Sequence, residues 1–223
     1  QVPDFSPGSD IRIGSFVLGI IRPYGRSNSL FIGNVSNLWQ ELGQTRYENL
    51  IQTSIPLHPG GIGSPIFSYD GKVMGLLVTT QKQSTWPELS FAIPSDMLRY
   101  ISREIIRGGK VRRGFLGVYV YPISYEIRKM RNLPDYLQGV IVTKLVPGGP
   151  AQEAGIQPDD IIIRFNGQPI VNYQQLTWQT AVAPLETGVP VELWRGGQTL
   201  MIQVVLKEYN AQPTGLTQAS PPQ

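Results

Sequence analysis

Two side chains that could do nucleophilic chemistry lie in one glycine-rich stretch of this 223-residue chain. Ser64 carries a hydroxyl, and His58 is the chain's one histidine. A hydroxyl becomes a nucleophile when a base takes its proton at hydrogen-bond distance. Because both residues lie in the same short loop, we expect Ser64 to be a turn residue that bonds its own backbone and His58 to be an ordinary loop histidine. The chain has no cysteine and no carboxylates paired at ligand spacing, so we expect neither thiolate catalysis nor a metal site.

The composition is that of a globular protein with one large or two small domains. Hydrophobic residues make up 41% of the chain and charged residues 16%, while 24 glycines and 19 prolines predict many tight turns. No apolar run approaches the roughly 20 residues that span a bilayer. The opening residues lack the pattern of a signal peptide, so we expect either a cytoplasmic protein or a targeting segment upstream. The net charge is only +3 and the basic residues are scattered, which predicts no nucleic-acid partner.

Short apolar runs separated by turn residues dominate the first half of the chain. Residues 15–21 and 30–35 are two such runs. The dipeptide Asp70-Gly71, between residues 64–67 and 73–78, is a hairpin signal. This pattern predicts an all-β barrel or sandwich.

A helix and a linker follow these strands. Ser95 is a good N-cap, and apolar residues recur after it at helical spacing until Gly108. The basic, glycine-rich stretch 107–113 is the predicted domain linker.

The second half mixes strands with short helices. Asn166-Gly167 is a candidate type I′ turn, and residues 209–223 have the composition of a disordered tail. Strands are predicted over residues 115–120, 139–142, 161–165, 191–194 and 199–206, and helices from Ser124, over residues 151–154 and over residues 173–183.

Several of these segments, in order, resemble the HtrA family, which joins a trypsin-like serine protease to a C-terminal PDZ domain. The matching segments are Arg22-Pro23-Tyr24-Gly25, Ile32-Gly33-Asn34-Val35-Ser36, Tyr47-Glu48-Asn49-Leu50-Ile51-Gln52-Thr53, Ser90-Phe91-Ala92-Ile93-Pro94-Ser95, Gly114-Phe115-Leu116-Gly117, Pro147-Gly148-Gly149-Pro150-Ala151 and Pro158-Asp159-Asp160-Ile161-Ile162. The resemblance implies a mainly β fold: the second barrel of a trypsin-like protease, followed by a PDZ domain built as a β-sandwich or partly open barrel with two helices. The implied domains are the barrel with its terminal helix at residues 1–108 and the PDZ domain at 109–208, with the tail at 209–223.

The family's nucleophile loop reads Gly-Asn-Ser-Gly-Gly. Counted without gaps, it falls on Gly60, Gly61, Ile62, Gly63 and Ser64, which puts Ile62 where the serine belongs. Isoleucine has no nucleophilic atom, and the family's histidine and aspartate belong to the first barrel. The resemblance therefore implies a degenerate member that lacks the catalytic serine and the first barrel, and we expect the chain not to be an enzyme.

The PDZ resemblance implies a site for a peptide that adds a strand to a sheet edge and places its carboxylate in a nest of backbone N–H groups. An apolar C-terminal side chain is expected in the ligand. The implied peptide-binding residues are Gly114, Phe115, Leu116, Gly117, Val118, Val120, Leu176, Thr177 and Thr180.

The leading functional hypothesis is an inactive HtrA-like pseudoprotease that binds peptide C-termini or unfolded segments. The alternatives are an HtrA-type serine endopeptidase of protein quality control, and a structural module whose PDZ groove is occluded. The expected partners are protein C-termini and misfolded protein, with an active HtrA relative or self-association as further candidates. We expect no small-molecule cofactor. The resemblance implies an extracytoplasmic location: periplasmic, secreted or membrane-tethered through an N-terminus that is absent here.

Overall fold

The computed structural model describes residues 3–40, 49–58, 60–78 and 90–209. The chain divides into two compact units, Gln1–Val111 and Arg112–Gln223. The predicted tail lies outside the described residues except for Tyr209, as do residues 47 and 48 of the family-like segment before the glycine-rich loop.

The first unit is a closed β-barrel, as the apolar runs predict. Its strands follow the order β1-β2-β3-β6-β5-β4, and each pair is antiparallel. The strands are β1 (Phe16–Ile21), β2 (Ser29–Gln40), β3 (Leu50–Thr53), β4 (Pro65–Phe67), β5 (Val73–Val78) and β6 (Ser90–Pro94). The predicted hairpin at Asp70-Gly71 is confirmed as β4 and β5.

Alternation along the strands places the core inside the barrel. In β1, Val17 and Ile21 are fully buried, whereas Phe16 and Ile20 point outward and are exposed. Such alternation is the reason that this run forms a strand with one face in the core. The core comprises Ile11, Val17, Ile21, Val35, Ile51, Ile55, Ile66, Met74, Leu77 and Ala92.

The barrel is followed by helix α1 (Ser95–Gly108), which begins one residue earlier than its predicted cap implies. Pro94 is the N-cap residue and Ser95 is already helical. The Ser95 hydroxyl is buried and donates to the Ser6 carbonyl oxygen at 2.6 Å, so it points to the segment before β1 and not to the first turn of α1. The prediction that Ser95 is the N-cap is therefore wrong, because its hydroxyl bonds a backbone carbonyl that is far away in the sequence.

The second unit contains an antiparallel sheet in the order β13-β12-β10-β9-β8, with β11 paired to β10, and a separate two-stranded ribbon of β7 and β14. Its strands are β7 (Gly114–Phe115), β8 (Val118–Pro122), β9 (Val140–Leu145), β10 (Ile161–Phe165), β11 (Gln168–Pro169), β12 (Gly188–Arg195), β13 (Gln198–Val205) and β14 (Lys207–Glu208). The single strand predicted over residues 115–120 is two strands in different sheets. Gly117 separates them, because its φ of 81° is left-handed and ends an extended run.

The described part of the second unit, up to Tyr209, also contains the helices α2 (Tyr125–Met130), α3 (Pro150–Glu153) and α4 (Tyr173–Val182). The short helix predicted from Ser124 is present, and the Ser124 hydroxyl caps it by accepting from the Ile127 N–H at 3.3 Å. Asn172 caps α4 by accepting from Gln175 at 2.8 Å. The core between helices and sheet comprises Leu116, Val140, Val142, Ala151, Ile156, Ile162, Phe165, Ile170, Leu176, Ala183, Val189, Val191, Leu193, Val204 and Leu206. Within the described residues, none of the helices combines the length and the apolar character that crossing a membrane demands.

Candidate functional site

The glycine-rich loop of the first unit is held between β5 and the turn after β1. Gly63 donates to the Leu77 carbonyl at 2.7 Å, and Leu77 donates back to the Ser64 carbonyl at 2.9 Å. A side chain at Gly60 would place its Cβ 2.7 Å from the Arg22 carbonyl oxygen, so the loop can approach the turn only with glycine there. The backbone of this loop is therefore fixed by two separate elements.

The loop presents a hydrocarbon side chain to solvent. Ile62 is 59% exposed, which is unusual for an isoleucine and places it at the outer end of the loop. Ser64 is half-buried, and its N–H donates to the Gly61 carbonyl at 3.1 Å, as in a turn. The His58 ring lies 5.1 Å from the Phe31 ring, against β2. Within the described parts of the chain, no three His, Cys, Asp or Glu side chains come together as a metal site would need.

The second unit contains a backbone loop suited to an anion, at Gly114–Gly117 between β7 and β8. The Leu116 carbonyl accepts from Ala151 and the Gly117 carbonyl accepts from Val146, both at 2.9 Å. The N–H groups of Leu116 and Gly117 have no acceptor among the described residues. The loop is thus fixed through its carbonyl groups while two adjacent donors stay available to a ligand.

Strand β8 offers an open edge beside this loop. It pairs with β9 on one side, and no other described strand pairs with its second edge. Val118 lies opposite Leu145, and the adjacent bond runs from Val146 to Gly117. This pattern makes Val118 and Leu145 a non-hydrogen-bonded pair, so the N–H and C=O of Val118 point to the open edge.

Helix α4 forms the opposite wall. Leu176 and Thr180 are buried at 3% and 6% exposure, one helical turn apart on the same face, and Thr177 is half-buried. A Cβ on Gly114 would lie 2.3 Å from the Thr180 carbonyl oxygen, which shows how closely the loop packs on the helix. The loop, β8 and α4 therefore meet at one place.

The structure brings the predicted peptide-binding residues together around the loop and α4, and the Phe115 ring lies 3.4 Å from where a Cβ on Gly117 would be. Leu116 and Leu176 share one core cluster, and Val118 and Val120 pack against it. Phe115 follows Gly114 along β7, so its side chain lies on the strand face away from α4, where its ring is 5.7 Å from the ring of Tyr209.

Sequence reasoning missed the residues that support the loop. The N–H groups of Val146 and Ala151 hold its carbonyls, and Lys207 pairs with Phe115 in the ribbon. The Pro147-Gly148-Gly149-Pro150 turn was a signal for the first two, because it brings the end of β9 and the start of α3 against residue 117. The ribbon left no local signal, since its two strands are far apart in the sequence.

Charged groups near the ribbon form surface pairs. Arg112 donates to Glu208 at 2.9 Å and to Glu186 at 3.3 Å, and the hydrogen bond with Glu208 raises the pKa of the Arg112 guanidinium. Lys207 lies 2.6 Å from Glu153 and 3.2 Å from the Gly148 carbonyl. These cations are already paired with protein groups, so the backbone donors of the loop are the better candidates for a ligand carboxylate.

Comparison with known proteins matches both units. Residues 1–76 match the family model of trypsin-like peptidase domains, and residues 107–194 match that of PDZ domains. A probable periplasmic serine endoprotease DegP-like of Marinomonas sp. (strain MWYL1) is 30% identical over 94% of this chain and 45% of its own length. A protein of the same name from Chlamydia pneumoniae is 30% identical over 92% of this chain and 42% of its own length. The chain thus spans less than half the length of these relatives.

A solved structure shares the fold of the whole chain. The HtrA-type protease AlgW with decapeptide is 25% identical, with a TM-score of 0.67, and the alignment covers 95% of this chain and 65% of that chain. The mainly β fold with a trypsin-like and a PDZ part, predicted from the sequence, is confirmed.

The prediction that the chain is not an enzyme is contradicted. The relatives that match over about nine-tenths of it are named serine endoproteases. That prediction extended one side chain, Ile62, to the activity of a whole protein, whereas serine hydrolysis depends on a nucleophile, a histidine and an aspartate together. The two domain matches, in this order, and the named relatives place the chain in the HtrA family, in which a trypsin-like protease domain is joined to a PDZ domain.

Proposed function

We propose that this chain acts in HtrA-type protein quality control and that its PDZ unit binds the free C-termini of peptides and misfolded proteins. One observation carries the proposal. The two available N–H groups of Leu116 and Gly117 lie directly beside the open edge of β8. The bound segment would form a further strand of the sheet.

Each part of the site has a role in binding. The ligand carboxylate accepts from the N–H groups of Leu116 and Gly117. The Gly117 N–H is already oriented, because it shares a peptide plane with the Leu116 carbonyl, which the Ala151 N–H holds. The ligand backbone pairs with the N–H and C=O of Val118. The side chain of its last residue lies between the loop and α4, against Leu116 and Leu176.

Serine endoproteolysis is the second part of the proposal, and the names of the relatives favour it. Such hydrolysis requires a hydroxyl nucleophile, a histidine base and an aspartate that orients the histidine. This chain contributes the second barrel, with the loop Gly60–Ser64 at its surface, and Ile62 itself supplies no nucleophile. The proposal of endoproteolysis therefore rests on the names of the relatives, less than half of whose length this chain matches.

The proposed location is extracytoplasmic, because the relatives are named periplasmic proteins. An active HtrA relative and a second copy of this chain remain candidate partners, and a groove occluded by its own tail remains the structural alternative. Tyr209, the last described residue, has its ring 5.7 Å from the ring of Phe115.

The proposal is tested by fluorescence anisotropy with a labelled peptide that carries a free C-terminal carboxylate and with the same peptide as its amide. Binding that requires the carboxylate supports the proposal. Thr177→Arg should block the groove wall, while Gln179→Arg on another face of α4 serves as the matched control. Absence of binding, also after removal of residues 210–223, would contradict the peptide-binding role.

The endoproteolytic part has its own test. Degradation of unfolded casein and covalent labelling by a fluorophosphonate are measured on the chain. Labelling at a serine supports endoproteolysis. No labelling and no degradation would overturn this part and leave peptide binding unaffected.

A further inference from the structure

Thr180 carries a buried hydroxyl without a hydrogen-bond partner. The residue is 6% exposed, and among the described residues its Oγ1 is the buried side-chain polar atom for which no partner is found. Buried polar atoms are nearly always hydrogen-bonded, because an unmet one loses its bonds to water without replacement. The exception therefore calls for a group from outside the chain.

The protein around Thr180 offers no ready partner. A threonine in a helix often donates to the carbonyl four residues earlier, here that of Leu176, but this bond is not made. Gly114 packs against the Thr180 backbone, with Leu206 beside it, and neither residue has a side-chain polar atom that could serve as partner.

The position of Thr180 links it to the ligand. Its own carbonyl packs on Gly114, the first residue of the loop whose later N–H groups would take the carboxylate. Thr180 also shares a helix face with Leu176, one wall of the proposed pocket. A peptide whose carboxylate is held by the loop would direct its last side chain towards this face of α4.

We propose that Thr180 determines specificity by exchanging a hydrogen bond with the last side chain of the ligand, so that the site selects a C-terminal serine or threonine. This inference rests on the proposed function and refines the apolar preference expected from the sequence. Threonine suits the site on both counts, since its methyl group contacts Leu116 and Leu176 while its hydroxyl meets that of Thr180. Valine has the same shape and leaves the hydroxyl unmet.

The experiment compares two peptides that differ only in ending with threonine or valine, on the wild-type chain and on Thr180→Val, Thr180→Ser and Gln179→Val. The wild type should bind the threonine peptide about 3- to 10-fold more tightly, as one neutral hydrogen bond provides. Thr180→Val should remove this preference, whereas Thr180→Ser should keep it, as should the control Gln179→Val on another face of α4.

Three outcomes would contradict the inference, and they differ in what they leave standing. Equal binding of both peptides by the wild type, or a preference that survives Thr180→Val, would overturn it and leave the proposed function standing. A folded wild-type chain that binds neither peptide would overturn the proposed function and the inference together.

Discussion

Arg195 holds the buried carboxylate of Asp160 with two parallel hydrogen bonds, from Nε to Oδ1 at 2.6 Å and from Nη2 to Oδ2 at 2.7 Å. Asp160 is only 1% exposed and accepts a third bond from the Gln157 N–H at 2.7 Å. The hydrogen bond with Asp160 raises the pKa of the Arg195 guanidinium. The pair ties the end of β12 to the start of β10, and thus fixes the sheet whose far edge is β8.

Replacing Asp160 by asparagine should lower the free energy of unfolding by about 2 to 4 kcal/mol, because Arg195 then loses its charged partner at a nearly buried site. Urea unfolding followed by circular dichroism measures the change. The control is Asp159→Asn at the adjacent carboxylate, which is exposed and paired with Arg131. That variant should cost less than about 1 kcal/mol, since the pair is exposed and asparagine tolerates the left-handed backbone at residue 159. Equal losses of unfolding free energy in the two variants would contradict the prediction, because the buried pair would then stabilise the fold no more than the exposed one.

A methyl group at residue 114 should disturb the contact between the loop and α4. Gly114→Ala would place its Cβ 2.3 Å from the Thr180 carbonyl oxygen, so the helix or the loop must move. We expect a loss of about 1 to 3 kcal/mol in the free energy of unfolding, together with weaker peptide binding. Urea unfolding and fluorescence anisotropy measure the two effects.

Gly108→Ala is the matched control for this prediction. Gly108 is the last residue of α1, and nothing lies within 4 Å of the Cβ it would gain. The substitution should leave peptide binding unchanged and should be neutral or stabilising by up to about 1 kcal/mol. A Gly114→Ala variant as stable as Gly108→Ala would mean that the loop and helix can separate at no cost.

The sequence predicted those parts of the fold that depend on interactions between residues close together in the chain. The alternation that buries Val17 and Ile21 and the turn at Asp70-Gly71 predicted the barrel strands, because side-chain period and turn chemistry act over a few residues. Ser95 was predicted wrongly as a cap because its hydroxyl bonds Ser6, which is far away in the sequence.

In the candidate site, too, the features set by neighbouring residues were predicted and those set by distant residues were not. The glycines and leucine of the loop were identified by resemblance, but the position of Phe115 away from α4 depends on the pairing of β7 with β14. The missing partner of Thr180 depends on which atoms of α4, β7 and the core meet in space. Neither relationship could be predicted from a short stretch of sequence, because the residues involved are far apart in the chain.

The turn between β4 and β5 gives a prediction for pH. A hydrogen bond from Lys72 and a second one from the Ser68 hydroxyl lower the pKa of the exposed Asp70 carboxyl below its ordinary value. Since the folded pKa is the lower one, this carboxylate contributes stability above its unfolded pKa, and the contribution is lost as the pH falls through the folded value. NMR titration should therefore give a low pKa for Asp70, and Lys72→Met should raise it towards the ordinary value. An ordinary pKa for Asp70 in the wild-type chain would mean that its ion pair with Lys72 does not form in solution.

Removing the unmet hydroxyl of Thr180 should stabilise the free protein. Valine keeps the shape of threonine and leaves no buried polar atom, so Thr180→Val should raise the free energy of unfolding by about 1 to 3 kcal/mol. Thr177 is half-buried and lies three residues earlier in the same helix. Thr177→Val should therefore change the free energy of unfolding by less than about 0.5 kcal/mol. Thermal and urea unfolding without peptide measure both variants. A loss of stability in Thr180→Val would mean that the hydroxyl is satisfied in the free protein, for example by an ordered water, because removing one partner of such a bond is destabilising.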